Sequence, residues 1–181
     1  MQKHVVVARF DNETNAIFDE WKAMAYETQN ITYDNAAAWP PHITIAAYED
    51  VDIKALCEWL SEYTALNSKI EICFNSLGVF AHGKQLDTDV IFVSPTNSLE
   101  FSNFYYNFHD KLDEFSGNYG WFYTAKCNHP IFHSTITICN KQDFNLVFDK
   151  LRDNFRMIKG NISALEIYEN PKKLVSRYEL K

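Results

Sequence analysis

The sequence predicts an α+β fold in which two similar halves each present a strand bearing the pattern His-x-Thr. Three observations carry this expectation. Short runs rich in β-branched residues recur along the 181 residues, separated by segments with apolar residues at helical spacing. The runs Pro41-His42-Ile43-Thr44-Ile45 and Phe132-His133-Ser134-Thr135-Ile136 repeat one pattern, and each is followed by a helical segment. No glycine-rich linker or low-complexity tract divides the chain, so residues 1–181 read as a single domain of two similar lobes.

The elements follow in order. His4 to Phe10 (HVVVARF) is a first strand, and Asp11 and Asn12 offer capping side chains to a helix that carries Ile17, Trp21, Met24 and Ala25 to about Tyr26. Trp39-Pro40-Pro41 closes a loop and favours an extended entry into the second strand, His42 to Tyr48. Asp52 to Tyr63 places Ile53, Leu56, Cys57 and Leu60 on one helical stripe. Lys69 to Phe80 alternates as a strand, and Val90 to Val93 is a short buried one. Asn97 with Glu100 resembles a capping box opening a helix to about Phe115. Ser116 to Pro130 is a long irregular stretch of the kind that borders sites. Phe132 to Asn140 is a strand, Lys141 to Met157 a helix, and Ile162 to Tyr168 and Val175 to Leu180 are strands flanking a turn at Asn170-Pro171.

Composition bounds the function. Hydrophobic residues at 46% and aromatics at 15% suit a dense core rather than a disordered chain. No run approaches the roughly 18 apolar residues that cross a bilayer, and the start carries no signal-peptide pattern, which predicts a soluble, cytoplasmic protein with no membrane partner. The four cysteines (Cys57, Cys73, Cys127, Cys139) are scattered without a CxxC pair, as in a reduced compartment. A net charge of −7 with mixed signs is a poor footprint for long duplex nucleic acid, which needs clustered Lys and Arg, but leaves room for a small nucleotide in a pocket. A monomer is expected.

The paired motifs carry the chemistry. Side chains i and i+2 of a strand share a face, so His42, Thr44 and Ala46 are expected on one side and Ile43 and Ile45 on the other. Likewise His133, Thr135 and Thr137 oppose Ser134, Ile136 and Ile138. Phosphodiester cleavage needs a base for the attacking oxygen and an acid for the departing one, and imidazole does either near neutral pH. A threonine hydroxyl two residues on can hydrogen-bond a non-bridging phosphate oxygen. Such a site needs no metal and no cofactor. One His-x-Thr strand means little by itself; the repetition carries the weight.

Other residues hold two readings each. Arg9 reaches a phosphate or forms a salt bridge at a strand end; Trp39 stacks on a base or packs on the Pro-Pro turn; Phe80 and the Tyr119–Tyr123 aromatics rim a cleft or fill the core. Cys127, His129 and His133 have donor atoms suited to zinc, yet a fourth ligand is not evident and Pro130 breaks the spacing. His4, His82 and His109 read as surface or satisfied polar residues.

The two motifs, their separation, and the closing run from Ala164-Leu165-Glu166-Ile167-Tyr168 to Tyr178-Glu179-Leu180 resemble the 2H phosphoesterases, whose bacterial branch is 2′-5′ RNA ligase-like. The resemblance implies two pseudo-symmetric lobes of antiparallel-rich sheets lining a central cleft, with helices outside. It implies His42 and His133 as the acid/base pair and Thr44 and Thr135 as phosphate binders. The activities it implies are hydrolysis of 2′,3′- or 1″,2″-cyclic phosphates, cleavage of 2′-5′-linked oligonucleotides, and 2′-5′ ligation of RNA ends; a non-catalytic nucleotide-binding module is the alternative from another class. The chain departs from the family pattern in having Phe132, not proline, before the second histidine, and no arginine soon after it.

Overall fold

The computed structural model describes residues 2–30, 39–126, 131–169 and 172–181. Its strands are β1 (Lys3–Phe10), β2 (His42–Glu49), β3 (Ile70–Phe80), β4 (Thr88–Pro95), β5 (Ser134–Asn140), β6 (Ile158–Glu169) and β7 (Lys173–Glu179). Its helices are α1 (Asn12–Thr28), α2 (Ile53–Leu66), α3 (Leu99–Phe108), the single turn α4 (Gly117–Gly120) and α5 (Phe144–Asn154). Every strand pairing among the described residues is antiparallel, in the order β2-β1-β6-β3-β4-β5, with β7 also on β6.

β6 joins the two halves. Its first residues, Ile158 to Ile162, pair with β3, which leads to β4 and β5. Its later residues pair with β1 on one edge and β7 on the other, and β1 leads to β2. Each half is thus a four-stranded antiparallel arrangement, and the two motif strands, β2 and β5, end the path at its opposite edges. The halves share one hydrogen-bonded sheet.

The helices start where small polar side chains can cap them. Asp11 accepts from the Thr14 N–H and Asp52 from that of Lys54. α1 buries Phe18, Trp21 and Ala25 on the core face, where Phe18 lies 4.9 Å from Phe74 and 5.2 Å from Phe10 between ring centroids. α1 also lies against α5 and β5, so one helix touches both halves.

The structure departs from expectation at several places, one being the helix expected over Lys141–Met157, which is the shorter α5 (Phe144–Asn154). Ser98, one residue after Asn97, caps α3 by accepting from the Phe101 N–H at 3.1 Å. α3 stops at Phe108 instead of about Phe115, because the chain turns at His109 and Leu112 takes a left-handed φ of 70°. The stretch expected to be irregular from Ser116 contains α4 and a turn of 3₁₀ helix at Trp121–Tyr123. β6 begins four residues before Ile162: Lys159-Gly160-Asn161 continues the strand, and Gly160 leaves room for the Thr14 side chain, whose Cβ would stand 2.9 Å from an added methyl. The expected turn at Asn170-Pro171 lies outside the described residues.

Candidate active site

The motif strands are built alike. In β2 the register to β1 slips between Val6 and Val7, leaving Ile45 as an extra residue. In β5 the register to β4 slips between Ile91 and Phe92, leaving Ile136 extra. Each bulge follows its motif threonine directly, and a bulge reverses the alternation beyond it. This corrects the expected faces. Ala46 is buried in the main core, and Ala47 takes the cleft face with His42 and Thr44. Thr137 is buried and accepts from Gln29 Nε2 at 2.6 Å, while Ile138 joins Thr135 in lining the cleft.

Both histidines are held by the same device. His42 Nδ1 donates to the Pro40 carbonyl at 2.7 Å, and His133 Nδ1 donates to the Ile131 carbonyl at 2.7 Å. A carbonyl only accepts, so each Nδ1 carries a hydrogen, and Nε2 is the nitrogen left to take up or release a proton. Position −2 therefore does equal work in the two motifs, and the missing second proline is made good by packing. Phe132 is buried 4.7 Å from Phe101 and 4.8 Å from Tyr105, and its carbonyl accepts from Ser94 Oγ at 2.6 Å.

A cavity of about 360 Å³ opens between the two strands, lined by His42, Thr44 and Ala47 from one side and Thr135 and Ile138 from the other. Both motif threonines and both motif histidines are half-buried. Burial pushes His42 down to about 4, helped by the positive charges of Arg9, Lys22 and His133 and opposed by the bond to Pro40. Burial also lowers His133, against its bond to Ile131.

The structure brings the other expected residues to the motifs. Trp39 packs 5.2 Å from the His42 ring and 4.9 Å from Tyr168, and lines the cavity. Phe80 meets the His133 ring edge-on at 4.8 Å and Phe92 at 4.2 Å. Arg9 stands directly opposite His42 in the β1–β2 register, so the two side chains share a face, and it forms an ion pair with Glu166 at 3.4 Å. Cys127 and His129 of the zinc set lie outside the described residues. His82 Nδ1 donates to the Thr88 carbonyl. His4 is neither exposed nor satisfied: it is buried with Nδ1 unpartnered among the described residues.

Pattern reading named the Tyr119–Tyr123 aromatics as rim or core residues without their partners, and it missed Lys22. The Tyr123 hydroxyl lies by Thr44, which opposes the rise that burial imposes on it, and the Tyr123 carbonyl accepts from the Tyr105 hydroxyl. Tyr119, from α4, adds to the apolar wall formed with Val5, Val7, Ala47 and Tyr168. Lys22 of α1 reaches the cavity from the first half. Behind the β2 bulge, buried His109 donates from Nε2 to the Ile45 carbonyl at 3.1 Å, and its Nδ1 lies 2.5 Å from Asp113 Oδ1. Only the aromatic density of residues 119–123 signalled any of this in the sequence.

Comparison with known proteins agrees with this architecture. The family model of the 2′-5′ RNA ligase superfamily matches residues 10–173. The crystal structure of TT0787 of Thermus thermophilus is similar at a TM-score of 0.59 and 11% identity, covering 99% of this chain and 98% of that one. E. coli LigT complexed with NADP+ is similar at a TM-score of 0.53 and 12% identity, covering 99% and 98%. Kluyveromyces marxianus Usb1 with uridine monophosphate gives 0.50 and 9%, covering 99% and 97%. No curated protein matches the chain in sequence. At these identities the solved structures speak for the fold.

Proposed function

The chain belongs to the 2′-5′ RNA ligase superfamily, and from that premise we propose that it is a metal-independent phosphodiesterase cleaving a small 2′-linked or cyclic phosphodiester by two-histidine acid/base catalysis. One observation carries the reading: two imidazoles anchored identically through Nδ1, His133 near enough for its charge to lower His42, with His42 and both motif threonines lining one cavity. His42 begins as the base. It is the imidazole that burial and neighbouring cations keep unprotonated, and it takes a proton from water or from a ribose hydroxyl. His133 delivers a proton to the departing ribose oxygen. The Thr44 and Thr135 hydroxyls donate to the non-bridging oxygens, where charge gathers in the transition state.

The apolar wall of Val5, Ala47, Tyr119 and Tyr123 suits a nucleobase, and Trp39 and Phe80 close the space around the two imidazoles. Nucleotide ligands in LigT and Usb1 crystal structures agree with a substrate of this class. The cavity is sized for one or two nucleotides, which fits an RNA end or a small nucleotide better than a long duplex. The test is a panel of 2′,3′-cyclic mononucleotides, 2′-5′ oligoadenylate, and RNAs with defined ends, each in excess EDTA. Turnover of a cyclic or 2′-5′ substrate is expected. Joining of RNA ends without hydrolysis would reassign the site to ligation, and binding without turnover across the panel would make it a binding module.

A further inference from the structure

The cleft has a cationic end, Lys22 and Arg9, whose part in the two-histidine chemistry is to lower His42 and which that chemistry does not bring to the substrate. Lys22 lines the cavity beside Trp39, Pro40 and His42, and its ammonium donates to the Trp39 carbonyl. That acceptor is neutral, and among the described residues Lys22 has no ion-pair partner; Asp19, one turn back on α1, attracts it without pairing. Arg9, on the same face as His42, is only 9% exposed, and its Nε and Nη1 find no hydrogen-bond acceptor among the described residues. Its ion-pair partner is shared. Glu166 also takes Arg177 Nη1 and the Tyr168 hydroxyl, each at 2.7 Å.

The buried Glu166 carboxylate is thus shared by two guanidiniums, of which Arg177 also pairs with the exposed Glu179 at 2.5 Å, and among the described residues no acidic side chain lines the cavity. A chain of net charge −7 has placed an ammonium with no paired carboxylate among the described residues, beside a buried guanidinium with unfilled donors, at one end of one cleft. The orphaned donors of the buried guanidinium carry a desolvation cost, as does the charge of a half-buried ammonium bonded only to a neutral carbonyl, and an anion reaching both would offset it. Strand geometry separates this end from the apolar one. At about 3.3 Å per residue, Pro40 and Ala47 lie on the order of 20 Å apart along β2, with His42 and Thr44 between them.

We propose that the Lys22–Arg9 end of the cleft binds a second phosphate group of the substrate, distinct from the scissile phosphodiester. The proposal rests on the phosphodiesterase reading above and adds to it a substrate class: nucleotides carrying a further phosphate. That phosphate is either a terminal monophosphate or the next internucleotide linkage, and both offer anionic oxygens to an ammonium and a guanidinium.

The experiment compares three substrates of one base: the nucleoside 2′,3′-cyclic phosphate, the same with a 5′-monophosphate, and the dinucleotide ending in the cyclic phosphate. Each is measured with wild type, Lys22→Gln and Lys22→Arg, as kcat/KM and as Kd by calorimetry. Wild type is expected to prefer a doubly phosphorylated substrate about tenfold, near 1.4 kcal/mol, with Lys22→Arg keeping the preference and Lys22→Gln losing it. Whichever of the two doubly phosphorylated substrates shows the preference identifies the source of the phosphate. Equal values for all three substrates in wild type, or a preference that survives Lys22→Gln, overturns the proposal. Absence of turnover on every substrate refutes the phosphodiesterase reading instead, and the Kd comparison then decides the subsite by itself.

Discussion

Replacing Glu166 with Gln keeps shape and one acceptor oxygen but removes the negative charge that Arg9 and Arg177 share. Glu166 is 4% exposed, and Arg9 has no other ion pair among the described residues, so the substitution leaves a buried guanidinium uncompensated. Breaking a buried pair from one side costs about 3–5 kcal/mol, and the surviving amide acceptor places this case near about 3. At about 2–4 °C per kcal/mol for a chain of this length, Tm falls by about 6–12 °C. Glu179→Gln is the control. It removes a 62%-exposed partner of the same Arg177, a class of pair worth about 0–1 kcal/mol, so Tm should move by less than about 4 °C. Thermal melts followed by circular dichroism at pH 7 separate the two. Equal small shifts in both variants would show that the Arg9–Glu166 pair is solvated and that the charged row on the cleft face is not buried.

Three further outcomes follow from the site. Gly120→Ala puts a methyl 2.6 Å from the Ala47 carbonyl carbon, against a strand that cannot retreat from β1; a loss of about 1–3 kcal/mol and weaker substrate binding are expected, read by melting and by KM. Tyr123→Phe removes the hydroxyl beside Thr44, so kcat/KM should fall about fivefold, corresponding to about 1 kcal/mol, with Tm unchanged within error. Because His42 is pushed to about 4 and His133 is also lowered, the free protein holds one neutral and one protonated imidazole only on the acid side of 6.5. The bell in kcat/KM should therefore peak below pH 6.5, losing the base as pH falls through the His42 value and the acid as pH rises through the His133 value. Lys22→Gln removes a positive neighbour of His42 and should move the acid limb to higher pH.

The strands and their faces were largely legible because period-2 alternation and β-branched runs report directly on a sheet with one buried side. Helix starts at Asp11 and Asp52 were legible because capping is local chemistry. The end of α3 was not. Apolar residues at helical spacing continue through Leu112, and what stops the helix is His109 turning to the Ile45 carbonyl, a partner far away in sequence. The start of β6 was hidden because Lys159-Gly160-Asn161 has turn composition, whereas Gly160 answers the approach of Thr14 from another element.

The four motif residues could be picked out because a repeated pattern is a statement about the chain alone. The bulges at Ile45 and Ile136 could not, since neither is marked by glycine or proline, and they decide that Ala47 and Ile138, not Ala46 and Thr137, meet the cleft. Lys22 was equally silent. A lysine on an amphipathic helix looks like solvent-facing charge until the packing of α1 brings it to Trp39.

The most direct test of the central claim compares wild type, His42→Ala and His133→Ala in excess EDTA. Two substrates differ only in leaving group: a 2′-5′ dinucleotide, which expels a ribose oxygen, and the nitrophenyl ester of the same 2′-phosphate, which needs no proton to depart. Both variants should lose about 10²–10⁴-fold on the dinucleotide. On the nitrophenyl ester His133→Ala should recover most of its rate while His42→Ala stays impaired. Loss of wild-type activity to EDTA, or near-wild-type cleavage of the dinucleotide by either variant, would contradict the two-histidine account.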